Sequence, residues 1–345
     1  MKLLQWSIAG SVFLVLGATA FWLKRDEASV KQAQPTKLQC ELPPSLTTAP
    51  KPGMVWVPEG VFDMGDSVYA EEKPVRNVRV KGFWMDRTEV TNSEFAAFVK
   101  ATGYVTVAER PVNPQLIASL PEDMRKPGAV VFKVPAKLTY GDDPRQWWQY
   151  IPGANWKQPA GPDSTVDKYG QFPVVHITFE DAQAYAKWKG HRLPTEAEWE
   201  WLSRFNGGGG EQKYPWGDSM PVMEDSGNYA DESAEVFMSN TLGKYWDGYP
   251  VTSPTGKFKA NSLGVFDLGG NVAEWVNDYY SVYPRDLKNI ESDPLGPLEG
   301  SSRMIKGSSW RHSSISALRY SFRDHAVTSR LDVGFRIARY SDKIE

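Results

Sequence analysis

The sequence predicts an α+β fold with much irregular structure. Three observations lead to this class: helices that are few and short, short runs with alternating apolar residues, and a long segment with neither pattern. The composition agrees, since 29 Gly and 25 Pro accompany 14 Trp, 15 Tyr and 15 Phe. Many turn formers beside many large rings are typical of ordered loops held by aromatic side chains, and they argue against a helical bundle.

Three helices are predicted from a threonine cap, a following apolar pattern and a glycine stop. They lie within 91–103, 178–190 and 195–207. The third begins with Thr195-Glu-Ala-Glu198, a full capping box, and is followed by the glycine run 207–210. Each cap is a local signal, so the sequence predicts where these helices begin and end.

Strands are predicted at three alternating runs, VRNVRV (75–80), PVVHITF (173–179) and MIKGSSW (304–310). Between the first two, residues 105–172 are predicted to be mostly loop. Loops of this length in a compact domain usually bind a ligand or are held by an ion. The sequence therefore predicts one domain over 53–342, in which the irregular segment binds a ligand or is held by an ion.

Charge and cysteine content exclude several classes of function. The formal net charge is −3, and Lys and Arg are spread along the chain, so nucleic acid is not an expected partner. Cys40 is the single cysteine. One thiol excludes an intrachain disulfide and a thiolate metal cluster.

The first 52 residues differ in amino-acid composition from the rest of the chain. Residues 6–23 carry no charge and are mostly apolar, which predicts a signal peptide or an N-terminal membrane anchor over 1–23; cleavage is left open. Residues 24–52 are polar with five prolines and predict a Pro-rich linker. We therefore expect a periplasmic or extracytoplasmic protein, anchored to the cytoplasmic membrane by its N-terminus.

Six ordered motifs between 54 and 336 carry a resemblance. They are MVWVPEGVFDMGD, EEKPVRNVRVKGFWMDRTEVTNSEF, PVVHITFEDAQAYAKWKGHRLPTEAEWEWLSR, YPWGD, GVFDLGGNVAEWVNDYY and DVGFR. Together they resemble the formylglycine-generating enzyme (sulfatase-modifying factor) family. The resemblance implies the family's variant of the C-type-lectin fold.

The resemblance also implies two structural Ca²⁺ ions held by side-chain and backbone oxygens. The first set would be Asn228, Tyr229 (backbone), Asp247 and Tyr249 (backbone). The second would be Asp267, Gly270 (backbone), Val272 (backbone) and Glu274. Calcium prefers six to eight oxygens, and carbonyls of Gly-rich turns can supply them. The alternative is that these acids are ordinary cap and turn residues.

The family's oxidases, by the same resemblance, convert a sulfatase cysteine into formylglycine with two cysteines that bind Cu(I). Here the first of these positions falls at Arg311 and the second at Ile315 or Ser316. With Ser308 and His312 they form a vacated pocket, and Ala273 replaces the tryptophan of the family's GN-x-WEW motif. Cu(I) prefers soft thiolates, so copper is not expected and the oxidase activity should be absent.

Other chemistries find less support in the sequence. A 2-His-1-carboxylate iron centre is not predicted by the spacing of the four histidines, and His176 is expected in the core. The serines near 308–316 lack a nucleophile elbow. Arg311, Arg319 and Arg323 are expected to form ion pairs with Glu274 beneath the pocket. In family members of the pyoverdine-maturation type an acid replaces the cysteines, and Glu274 is the candidate here, although it is also a predicted calcium ligand.

Two functions from different classes follow. The first is a protein or peptide partner bound in the family's substrate groove without copper chemistry. The alternative is a cysteine-independent oxidoreductase acting on a peptide-like substrate, or a sulfatase-maturation factor.

Overall fold

The computed structural model describes residues 53–133, 147–207, 211–218, 220, 222, 224–238, 240–283 and 290–340. The predicted signal or anchor segment 1–23 and the linker 24–52 lie outside these residues. Within the described part of the chain, no helix has the length and apolar character needed to cross a bilayer.

Short strands and shorter helices alternate with long irregular connections, which confirms the predicted α+β class. The strands are β1 Met54–Val57, β2 Gly60–Met64, β3 Arg76–Val80, β4 Phe83–Asp86, β5 Gly128–Phe132, β6 Trp148–Pro152, β7 Ala273–Tyr279, β8 Glu291–Ser292, β9 Arg303–Lys306, β10 Arg323–Ala326, β11 Val333–Gly334 and β12 Ala338–Tyr340. The α-helices are α1 Asn92–Thr102, α2 Pro114–Ile117, α3 Phe179–Trp188 and α4 Glu196–Arg204. Single 3-10 turns lie at Ala70–Glu72, Val107–Glu109, Asp123–Arg125, Glu232–Ala234 and Ile315–Leu318.

The three helices predicted from caps begin at their threonines, and α1 and α3 end at their predicted glycines, whereas α4 ends at Arg204, before Gly207. At α4 the hydroxyl of Thr195 accepts the Glu198 N–H at 3.1 Å, and Glu198 Oε2 accepts the Thr195 N–H at 2.9 Å. Helix α1 ends at Gly103, whose φ of +67° suits a residue without a Cβ. These contacts satisfy backbone groups that a helix end leaves unpaired.

Four small sheets bring distant parts of the chain together. One orders its strands β1-β4-β12, all antiparallel, and so joins the two ends of the described domain. A second, β10-β9-β7-β11, pairs β7 antiparallel with β9 and parallel with β11. The others are β2-β3-β8 and the β5-β6 hairpin. The second sheet is the one that carries the candidate site.

Two large apolar clusters form the core. One surrounds Trp199 and Leu202 of α4 and includes side chains of β1 to β4. The other lies between α1, α3 and β7, where the ring of Phe95 contacts Trp156 at 5.1 Å and Tyr185 at 5.9 Å between centroids. Because Trp156 comes from the irregular segment after β6, an aromatic side chain holds that loop on the core, as the composition indicates.

Two of the three strand predictions were wrong in part or entirely. Run 75–80 is confirmed by β3, but run 304–310 is extended only to Lys306, since Gly307 turns the chain with a φ of +78°. Run 173–179 forms no strand, because His176 has a φ of +57° and its N–H donates to Arg330 O at 3.1 Å. The predicted loop 105–172 also contains the β5-β6 hairpin.

Candidate functional site

A strained turn at 267–271 leads into β7 and forms the centre of the site. Asp267, Gly269 and Asn271 all have φ between +60° and +75°. For residues other than glycine this conformation costs about 1–3 kcal/mol each, so surrounding contacts have to maintain it. Two such contacts are Gly256 N–H to Asp267 Oδ2 at 2.6 Å and Trp310 N–H to Asn271 O at 2.9 Å.

Two carboxyl groups meet beneath this turn. Asp267 Oδ1 and Glu89 Oε2 are buried and have no hydrogen-bond partner among the described residues. Burial, followed for Glu89 by the charge of Asp267, raises the pKa of both carboxyl groups. Two buried carboxylates are unfavourable unless they share a proton or a cation lies between them. A proton shared between Asp267 and Glu89 and a hard cation both satisfy this pair, and Glu89 is a candidate cation ligand that the sequence prediction missed.

Glu274, predicted as a calcium ligand and as a candidate acid, lies in a buried ion pair. Arg336 approaches it with Nε 2.7 Å from Oε2 and Nη2 2.7 Å from Oε1. The indole N–H of Trp199 donates to Oε2 at 3.0 Å. Each oxygen of Glu274 already accepts at least one charged hydrogen bond, so the geometry supports a structural role.

The expectation that Arg311, Arg319 and Arg323 pair with Glu274 is wrong, and Arg311 pairs with Asp332 instead. Arg319 binds Glu72 with Nη1 and Nη2 at 2.7 and 2.8 Å, and Arg323 binds Glu196 with Nε and Nη2 at 2.7 and 3.0 Å. These pairs hold β10 and the chain before it to the 3-10 turn at Ala70–Glu72 and to the start of α4. Arg319 and Arg323 therefore form buried ion pairs, but with Glu72 and Glu196 instead of Glu274.

The residues predicted for the first calcium site lie together. Asp247 accepts the N–H of Tyr229 at 2.9 Å with Oδ2 and the N–H of Tyr249 at 2.7 Å with Oδ1. Burial raises the pKa of Asp247 to about 7. Asn228 Oδ1 is buried without a hydrogen-bond partner in the described part of the chain. An unsatisfied oxygen beside a buried carboxyl fits a Ca²⁺ site.

The two predicted sets are neighbours. Asn271 N–H donates to Asn228 O at 2.9 Å, and a Cβ at Gly270 would lie 3.2 Å from Asn228 N. Across the described residues, no three His, Cys, Asp or Glu side chains converge as a metal site. Calcium at the first place would therefore depend on Asn228 and the carbonyl of Tyr229, and calcium at the second on carbonyls such as that of Gly270. Both ligand sets stay predictions.

Ser308, the first residue of the predicted vacated pocket, is fully buried and its hydroxyl donates to Gly269 O. The chain after β9 thus packs on the strained turn. Ser316, at the far end of the pocket, has its Oγ 2.6 Å from Tyr69 OH and 2.8 Å from Ser314 Oγ. The hydroxyls of Ser308 and Ser316 are therefore both engaged in hydrogen bonds within the protein.

Arg311 is the residue predicted to stand at the place of the first copper-binding cysteine. Its Nη1 is 3.3 Å from Asp332 Oδ2, and its guanidinium lies 5.0 Å from the ring of Trp148. Arg330 also binds Asp332, with Nε and Nη2 at 2.9 and 2.7 Å. Although burial opposes ionisation, the charges of Arg330 and Arg311 hold the pKa of Asp332 well below its usual range.

His312 is held as a neutral ring. Its Nδ1 accepts the N–H of Ser309 at 3.0 Å, so the ring proton of the neutral form is on Nε2. Burial, followed by the charge of Arg311, lowers the pKa of His312 to about 4. His176 is a core histidine with Nε2 2.8 Å from Pro159 O, and burial lowers its pKa to about 4.

The structure defines a class: a mixed α/β domain with few helices, oxygen-rich turns and a polar site without thiols. A family model described as "Sulfatase-modifying factor enzyme 1-like domain" matches residues 39–341, and the chain belongs to this family. The match begins within the predicted linker 24–52.

Similar proteins include active and inactive members by name. The chain is 41% identical over 243 residues to the formylglycine-generating enzyme of Mycobacterium tuberculosis, which covers 67% of this chain and 75% of that protein. It is 34% identical over 298 residues to "Inactive C-alpha-formylglycine-generating enzyme 2" of Bos taurus, a match that covers 83% of this chain and 87% of that protein. The structure of PvdO from Pseudomonas aeruginosa superimposes with a TM-score of 0.55 at 24% identity over 85% of this chain and 100% of that chain, which shows a shared fold.

Proposed function

We propose that this chain is an exported, membrane-tethered member of its family that has lost the Cu(I) cysteine pair and binds a protein or peptide partner in the family's substrate groove. The single observation that carries the proposal is the absence of thiols from the family domain after Cys40. Arg311, Ile315 and Ser316 offer Cu(I) no soft ligand.

The surroundings of these residues support the same conclusion. Binding of Cu(I) by a cysteine pair needs two sulfur atoms close together. Here Arg311 is ion-paired with Asp332, and Ser316 is hydrogen-bonded to Tyr69. Ile315 packs against the apolar cluster that contains Tyr229. Each replacement therefore has its own local partners. A relative named inactive, at 34% identity, is consistent with a non-catalytic member of this family.

Calcium is proposed as a structural component at the Asn228–Asp247 and Glu89–Asp267 groups. Calcium there would supply charge neutralisation to buried oxygens and hold the loops 225–258 and 264–272 in place. Export and tethering are proposed from the uncharged segment 6–23.

The alternative oxidoreductase finds little support at Glu274. A proton-transfer acid needs contact with substrate, but Glu274 is 1% exposed and bound by Arg336 and Trp199. A sulfatase-maturation factor would need another oxidising group than the cysteine pair.

The test compares the full chain with Cys40→Ser, which removes the remaining thiol. We expect neither protein to retain Cu(I) against a competing chelator, and neither to form aldehyde in a sulfatase-type cysteine peptide. Immobilised wild-type protein should retain members of a pool of extended peptides. Stoichiometric copper in Cys40→Ser, or aldehyde formation by it, would overturn the loss of copper chemistry. Failure to retain any peptide would overturn the binding function.

A further inference from the structure

Most hydrogen-bond donors of Arg311 have no acceptor among the residues that the structure describes. Its side chain is 34% exposed, and its contact with Asp332 at 3.3 Å is long for a charge-assisted hydrogen bond, for which about 2.7–2.9 Å is typical. In the described part of the chain, the guanidinium has no second hydrogen-bond partner. Asp332 has both oxygens bound by Arg330 at shorter distances, so it does not require Arg311.

Aromatic rings lie beside this guanidinium. Trp148 is 5.0 Å from it, and Phe132 contacts Trp148 at 5.2 Å and Trp310 at 6.0 Å between centroids. Trp310 is 1% exposed, and its indole N–H has no acceptor among the described residues. A buried donor without an acceptor costs about 1–3 kcal/mol.

The fixed charges around Arg311 suggest which anion fits. Arg311 and Arg330 balance Asp324 and Asp332, while His312 and His176 are neutral because their pKa values are lowered to about 4. With these four charges in balance, one incoming carboxylate adds a single negative charge, and the guanidinium donors of Arg311 that no described residue accepts can hydrogen-bond to it. A dianion would leave a larger uncompensated charge in a partly buried place, which is less favourable.

We propose that Arg311 binds the carboxylate of an acidic side chain in the peptide partner, with Trp148 packed against its apolar part. This inference rests on the proposed peptide-binding function and specifies its selectivity. The place predicted for a copper-binding cysteine would thereby select peptides that carry Asp or Glu. Arginine suits this role, since its planar fork matches a carboxylate in two parallel hydrogen bonds.

The experiment uses three pools of capped extended peptides that are identical except for one fixed residue: Glu, Gln or phosphoserine. We expect the wild-type protein to retain the Glu pool about tenfold better than the Gln pool, which is the scale of a charge-assisted pair. Arg311→Gln should abolish this preference and Arg311→Lys should keep only part of it. Arg79→Gln, which removes an exposed arginine on β3, is the matched control and should behave as wild type.

The outcomes separate the two proposals. Equal retention of the Glu and Gln pools by wild type would overturn the acidic selectivity while leaving peptide binding intact. Preference for the phosphoserine pool would also overturn it. A second measurement needs no peptide: titration with acetate should shift the indole N–H resonance of Trp148, whose ring lies 5.0 Å from the Arg311 guanidinium, in wild type and not in Arg311→Gln. If no peptide is retained and acetate causes no such shift, both proposals fail.

Discussion

Replacing Glu274 with Gln tests whether this carboxylate is the structural partner of Arg336. In the folded protein the side chains are 1% and 0% exposed and form two charged hydrogen bonds of 2.7 Å. Glutamine keeps the volume but removes the charge and one acceptor oxygen. The guanidinium of Arg336 is then left in the core without its bidentate partner.

The magnitude follows from this geometry. Removing one member of a buried ion pair typically costs about 3–5 kcal/mol. Arg336 keeps two carbonyl contacts, with Phe266 O at 3.0 Å and Asp86 O at 3.2 Å, so we expect about 3 kcal/mol. In a domain of this size, a melting temperature falls by about 2–4 °C per kcal/mol. The expected decrease for Glu274→Gln is therefore about 6–12 °C.

Calorimetry and urea denaturation of the full chain measure the loss, with and without Ca²⁺. Glu180→Gln is the matched control, because Glu180 pairs with Arg110 at 62% and 36% exposure and such pairs contribute at most about 1 kcal/mol. A loss below about 1 kcal/mol for Glu274→Gln would refute the reasoning. So would a loss that disappears after calcium removal, since Glu274 would then act as a calcium ligand.

Three further predictions follow from local geometry. Without calcium, the free energy of unfolding should fall as pH rises from about 4 to 7, because the folded state binds the proton of Asp247 more tightly than the unfolded chain does. Calcium should oppose this trend. A flat pH profile without calcium would contradict the prediction. Thr195→Ala should cost about 0.5–2 kcal/mol in urea denaturation through loss of a cap, whereas no change would contradict the capping argument. Gly103→Ala, at a φ of +67° with no atom within 4 Å of the added Cβ, should cost about 1–2 kcal/mol from backbone strain alone, and a stabilised variant would contradict it.

Local signals in the sequence account for much of what was predicted correctly. The helices α1, α3 and α4 begin at Thr91, Thr178 and Thr195 because each threonine hydroxyl accepts an N–H three residues later. Such contacts lie within one turn of chain and need no tertiary partner. Strand signals were weaker, since run 173–179 alternates like a strand but is bent at His176 by its contact with Arg330.

The sequence by itself determined the family, the capped helices and a cysteine content of one, at Cys40, because motifs, caps and residue types are all local properties. Tertiary structure alone decided which charges meet. It paired Glu274 with Arg336, brought Glu89 to Asp267, and placed Arg311 between Asp332 and Trp148. These partners are far apart in the chain, and their approach depends on how the sheets and loops close around the core. No spacing rule in the sequence encodes that closure.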